Sequence, residues 1–199
     1  MTPEQIQEEM QFLRGVSRQE VVYRMLFGEA RGEPIEAQVG VGCVLRSRLK
    51  DARWPNTYND VALQPAQFSC FNPEDSNFEK LLDPEKHEAT SVLVQLRWVA
   101  KGIVDDVLLD NVAGANHYYD FSVIVGQGQR RDPFRLKRYL RAVDLLLGDP
   151  QAPATHVLDP TERQNARDLI HTLVKDLPPK WDDEVLPVAR KGHLVFFKL

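Results

Sequence analysis

The chain has 199 residues, 43% of them hydrophobic and 27% charged, with a formal net charge of −4. That length suggests a single domain able to bury a core without disulfide or metal staples. The charge balance excludes an overall basic field that would draw in nucleic acid. Cys43 and Cys70 are too few for a disulfide framework and lack C-x-x-C spacing. Free thiols, as in a reducing compartment, are a simpler reading than one bridge. No apolar run approaches a membrane span.

The start, "MTPEQIQEEMQFL", is acidic and lacks the basic region and apolar core of a signal peptide. Residues 1–14 read as a short helix or a loose arm. "SRQEVVYRMLFGEA" opens a helix: Ser17 and Glu20 fit a capping box, Val16 and Val21 a hydrophobic staple. Val22, Met25 and Leu26 keep helical spacing, and Gly32 is a natural stop. A second helix starts at Pro34 and runs through "PIEAQVGVGCVLRSRLKD". Its small apolar middle weakens helix propensity, which predicts a central, buried helix closely approached by another backbone. "ARWPNTYNDVALQPAQFSCFNPEDS" is dense in turn residues and reads as a long loop with a short helix near 57–63.

"PEKHEATSVLVQLRWVAKG" is predicted to be a third amphipathic helix stopped by Gly102. "DNVAGANHYYDFSVIVGQG" reads as loop and short extended segments, and "DPFRLKRYLRAVDLLLGDP" as a fourth helix. "TERQNARDLIHTLVKDL" is a fifth, after the linker "APATHVLDP"; the chain closes on a short β-like run in "GHLVFFKL". The pattern predicts an α+β protein, mainly α, with a small β element. There is no repeat and no metal motif such as H-E-x-x-H.

Two glutamates four positions apart stand out in "LFGEARGEP". Glu29 shares a helix face with Val22, Met25 and Leu26. A carboxylate among apolar side chains is disfavoured in its charged form, so its pKa should rise, as a general acid requires. Glu33 follows Gly32 and precedes Pro34, so it is expected to sit charged and exposed at the next helix start. A glutamate near a helix end is more often a surface charge, and spacing alone leaves both readings open.

Several ordered segments resemble the spore cortex-lytic (SleB-type) cell wall hydrolases: "LFGEARGEP", "EAQVGVGCVLRSRL", "RWPNTYNDV", "QPAQFSCF", "GANHYY", "PPKW" and "GHLVFF". The family's asparagine–arginine pair is Ser47-Arg48 here. The resemblance implies a lysozyme-like fold and an enzyme that cuts peptidoglycan glycan strands between N-acetylmuramic acid and N-acetylglucosamine, without a cofactor. It puts the catalytic glutamate at Glu29, with lytic transglycosylation as the reaction. Gln67 and Ser69 would supply hydrogen bonds to the sugars and Phe68 a stacking face; Asn116, His117, Tyr118 and Tyr119 offer the same mixture. By resemblance both stretches border the substrate cleft, with Glu33 lining or bordering it. Each of these residues is equally readable as a core residue or loop anchor.

The resemblance covers about 16–119 and 178–199 of one catalytic domain spanning 1–199, leaving 120–177 as a two-helix insert. Arg130, Arg131, Arg135, Lys137, Arg138 and Arg141 give that insert a basic helix, which would suit an anionic surface or a protein partner if it is not simply a solvated face. Without a leader, the expected route to the wall is release by a phage holin or carriage in a virion. Three other readings remain at this level. A hydrolytic muramidase would need a second carboxylate, for which Asp51, Asp60, Glu74 and Asp75 are equivalent candidates. Cys70 with His117 or His193 would make a thiol-dependent peptidase or amidase. A non-catalytic wall-binding or virion protein is the third.

Overall fold

The computed structural model describes residues 1–65, 67–120 and 187–198, without the side chains of Tyr119 and Pro187. The described residues form six α-helices and three strands: α1 (Pro3–Gly15), α2 (Arg18–Ala30), α3 (Ile35–Leu49), α4 (Tyr58–Ala62), α5 (Phe78–Leu82), α6 (Thr90–Val104), β1 (His117–Asp120), β2 (Pro187–Lys191) and β3 (Leu194–Phe197). Short 3₁₀ turns lie at Ser69–Phe71 and Pro84–Lys86. The protein is thus mainly helical with a small antiparallel sheet, as its sequence leads one to expect. The chain divides into two compact units, Met1–Gly114 and Ala115–Leu199. The basic helix and all but Asp120 of the expected insert lie outside the described residues.

In the first unit, α2 packs against α3, α4, α5 and α6. Every residue from Val21 to Phe27 is buried. This includes Arg24, whose guanidinium donates to the carbonyls of Leu81 and Leu82 at 2.6 and 2.8 Å and to Glu20 at 2.8 Å. These bonds from Nε and Nη1 offset the penalty that would otherwise keep an arginine out of a core. Sequence spacing pointed to α3 as the central helix, and α3 is buried from Ala37 to Arg46, but α2 shares that place. Ser17 caps α2 by accepting from the Glu20 amide at 3.2 Å. The polar start is a helix, fixed by a capping box between Thr2 and Gln5.

Gly42 of α3 allows a close approach, though by a side chain: a Cβ there would lie 2.5 Å from Ile103 Cγ1 on α6. Two expected boundaries of α6 shift. It begins at Thr90, because Pro84 to Lys86 close a separate 3₁₀ turn; it continues past Gly102 to Val104. Gly102 is not a stop. Leu108 packs where its side chain would be, 2.6 Å from a built Cβ. The short helix expected near 57–63 is α4, capped by Thr57 through the Asp60 amide.

In the second unit the sheet order is β1-β3-β2, all antiparallel, with His117 opposite Phe197 and Lys191 opposite Leu194. The terminal β-like run is the central strand, and Leu194 to Phe197 are all buried. Gly192 makes the tight β2–β3 turn with φ 55°, a conformation glycine takes without strain.

Candidate active site

Glu29 projects from the last turn of α2, half-buried, on the face that buries Val22, Met25 and Leu26. Two groups from the "QFSC" segment bond one of its oxygens. The Cys70 amide donates to Oε1 at 2.8 Å and the Ser69 hydroxyl at 3.4 Å. The glycine before Glu29 makes this approach sterically open. A Cβ on Gly28 would stand 2.4 Å from Cys70 Cβ and 2.8 Å from its sulfur. Cys70 therefore occupies the space that glycine leaves on α2, and its own amide and the Ser69 hydroxyl reach the carboxylate.

The segment is held from the other side by Arg48. This buried guanidinium lies 4.9 Å from the centre of the Phe68 ring and donates to the Gln67 carbonyl at 3.3 Å. Trp54 adds a bond from its indole nitrogen to Gln67 Oε1 at 3.2 Å. Phe68 is 1% exposed. Its ring is a buried anchor under Arg48, and the expectation of a face open to sugar stacking is corrected. Gln67 is half-buried, with both carbonyl groups engaged in shaping the loop, and Ser69 is exposed beside Glu29.

Glu33 is half-buried rather than exposed, in the turn before α3. Its main chain is fixed by the buried Gln38, whose amide nitrogen donates to the carbonyls of Ala30 and Glu33 at 3.3 and 3.0 Å. Gln95 of α6 donates to Gln38 Oε1 at 2.9 Å. Gln38 thus ties the end of α2, and with it Glu29, to α3 and α6.

In the second unit Asn116 is buried, and its amide donates to the Phe197 carbonyl at 2.9 Å. His117 Nδ1 and Asn116 Oδ1 are 2.9 Å apart. Tyr118 is half-buried, its ring centre 5.9 Å from that of Phe196. The predicted residues thus fall in two groups: Glu29, Glu33 and the 67–69 segment in the first unit, and Asn116 with β1 in the second.

Both cysteines are free and buried. Burial pushes the Cys70 thiol well above its usual range, and the neighbouring Glu29 carboxylate pushes it further. A thiol nucleophile needs the opposite setting, an accessible sulfur with a stabilised thiolate, so the geometry opposes a Cys70-dependent peptidase. Three of the candidate second carboxylates already have local partners. Asp51 binds Arg53, which holds its carboxyl below the usual range. Asp60 accepts from the Thr57 hydroxyl at 2.6 Å, and Asp75 from the Asn77 amide at 2.8 Å. Among the described residues no group of three or more His, Cys, Asp or Glu side chains is placed to hold a metal ion, and no helix is long and apolar enough to cross a membrane.

The cell wall hydrolase family model matches residues 32–138, more than half of the chain. The protein belongs to that family. The match begins three residues after Glu29 and continues past Tyr119 into the stretch read as an insert. Among curated relatives, the spore cortex-lytic enzyme of Oceanobacillus iheyensis is 38% identical over 65 residues, covering 29% of this chain and 24% of that protein. The enzyme of the same description from Bacillus subtilis is 34% identical over 65 residues, 29% of this chain and 21% of its own length. The match therefore spans about a quarter or less of these relatives. The catalytic domain of the Bacillus cereus SleB protein superposes with a TM-score of 0.43 at 17% identity, covering 92% of this chain and 93% of that domain, a similarity too low to define the fold by itself.

Proposed function

We propose that this protein degrades peptidoglycan by cutting its glycan strands, with Glu29 as general acid and base. The observation that carries this reading is the setting of Glu29 in a chain of the cell wall hydrolase family: a half-buried carboxylate on an apolar helix face, with Oε1 bonded to the Cys70 amide and the Ser69 hydroxyl. When Glu29 carries a proton, the oxygen that accepts these two donors serves as the carbonyl oxygen, which leaves Oε2 to hold the transferable proton.

Lytic transglycosylation fits this setting best, because it asks for a single protein carboxylate. Protonated Glu29 gives its proton to the glycosidic oxygen, and the bond from that oxygen to muramic C1 breaks. The ionised carboxylate then takes the proton of the muramic 6-hydroxyl as O6 bonds to C1, closing the 1,6-anhydro ring. No water is consumed, and Glu29 ends protonated. A glycosidase that consumes water uses a carboxylate pair at defined separation, and the local partners of Asp51, Asp60 and Asp75 support the one-carboxylate route. Mass spectrometry of purified peptidoglycan after digestion tests it. Anhydro-muropeptides are expected; reducing-end muramic acid would make the protein a muramidase, and released stem peptides would overturn glycan cleavage.

A further inference from the structure

The proposed reaction uses neither Gly28 nor Cys70, yet these residues meet directly beside Glu29. We propose that Gly28 and Cys70 are a positioning pair for Glu29: the missing side chain at 28 lets Cys70 seat on α2, and the seated loop brings the Cys70 amide onto Oε1. This rests on the reading of Glu29 as the working acid. Three distances meet here. The Cys70 amide lies 2.8 Å from Oε1. A Cβ at position 28 would lie 2.4 Å from Cys70 Cβ. The Cys70 sulfur is directed at the Met25 carbonyl, 4.0 Å away, one turn earlier in α2.

The obstruction is backbone-linked. Cys70 Cβ cannot swing aside as the end of a long side chain would, so a methyl at 28 must lift the loop by about an ångström to reach ordinary contact, and misplacement on that scale is enough to cost about 100-fold in rate. The lift would take the Cys70 amide beyond hydrogen-bond range of Oε1. The other neighbour of that methyl, Leu81 Cδ2 at 3.5 Å, is no obstacle.

The complementary exchange tests the pair. Gly28→Ala is expected to lower kcat on solubilised glycan strands about 10- to 100-fold with KM unchanged. The double variant Gly28→Ala/Cys70→Gly, which removes both obstructing atoms, should recover most of the lost rate. Amide hydrogen exchange reads the same contact without turnover. The Cys70 amide should be protected in the wild type, exposed in Gly28→Ala and protected again in the double variant. Glu29→Ala, which adds no clash, should expose the Cys70 amide while leaving the Asn72 amide, bonded to the Ser69 carbonyl, protected. Full rate in Gly28→Ala, no recovery in the double variant, or a Cys70 amide still protected in Glu29→Ala would each overturn the proposal. If the wild type cleaves no glycan, the reading of Glu29 fails, and the exchange data alone decide whether the pair positions its carboxylate.

Discussion

At the scale of single residues, one cysteine carries two opposite chemical readings, and burial separates them. Cys70 is 0% exposed, packed on the α2 backbone, with its thiol held protonated by desolvation and by Glu29. Native protein should therefore resist iodoacetamide at Cys70 at mildly alkaline pH, with labelling appearing on unfolding in urea; rapid labelling of the native state, read by peptide mass spectrometry, would contradict this. Arg48 is the second informative residue. Replacing it with methionine removes the charge from over Phe68 and Trp54 and the bond to the Gln67 carbonyl. A loss of about 2 kcal/mol in urea unfolding is expected, with activity falling along with the loop's order. The half-buried setting of Glu29 on an apolar helix face was legible from its spacing. Its partners were not, because a main-chain amide from a residue 41 positions away has no signature in side-chain pattern. Phe68 was misread for a related reason: an aromatic ring beside polar neighbours looks equally like a sugar platform and a core anchor until Arg48 is seen covering it.

At the scale of elements, small residues decided which helices approach each other. Gly42 on α3 faces Ile103 on α6 so closely that an added methyl would overlap it. Alanine there gains up to about 1 kcal/mol of helix propensity, but the overpacking costs about 1–3 kcal/mol. Gly42→Ala should thus lower the melting temperature, and Ile103→Ala in the same chain should be less damaging than the sum of the two single changes. A stabilised Gly42→Ala would show that α6 yields easily. The helices with periodic apolar faces were legible in existence and type. Their boundaries were not, because local closure at Pro84 and packing of Leu108 on Gly102 override the usual reading of proline and glycine as start and stop. The centrality of α2 was also hidden: Arg24 makes "VVYRMLF" look partly exposed, and only the Leu81 and Leu82 carbonyls reveal how the charge is accommodated.

At the scale of the whole molecule, the ties between elements set the response to pH. Burial pushes the Tyr23 hydroxyl up to about 12, against the opposing pull of Arg97. Its ordinary value is about 10, so in the window between them the native state keeps a proton that the unfolded chain has lost. The contribution is full below pH 10 and falls away as pH rises toward 12. Tyr23→Phe should flatten the loss of urea stability on the alkaline side; an unchanged slope would contradict that assignment. The family was legible because its segments are spread in order along the chain, from "LFGEARGEP" to "GHLVFF", and the family model's match to residues 32–138 agrees. The central claim is that one carboxylate, on α2, does the chemistry. The direct measurement compares wild type with Glu29→Gln on purified peptidoglycan, by release of soluble muropeptides, after confirming that both melt alike. Cleavage should fall by roughly 10²- to 10⁴-fold in Glu29→Gln; undiminished release of the same products would contradict the account.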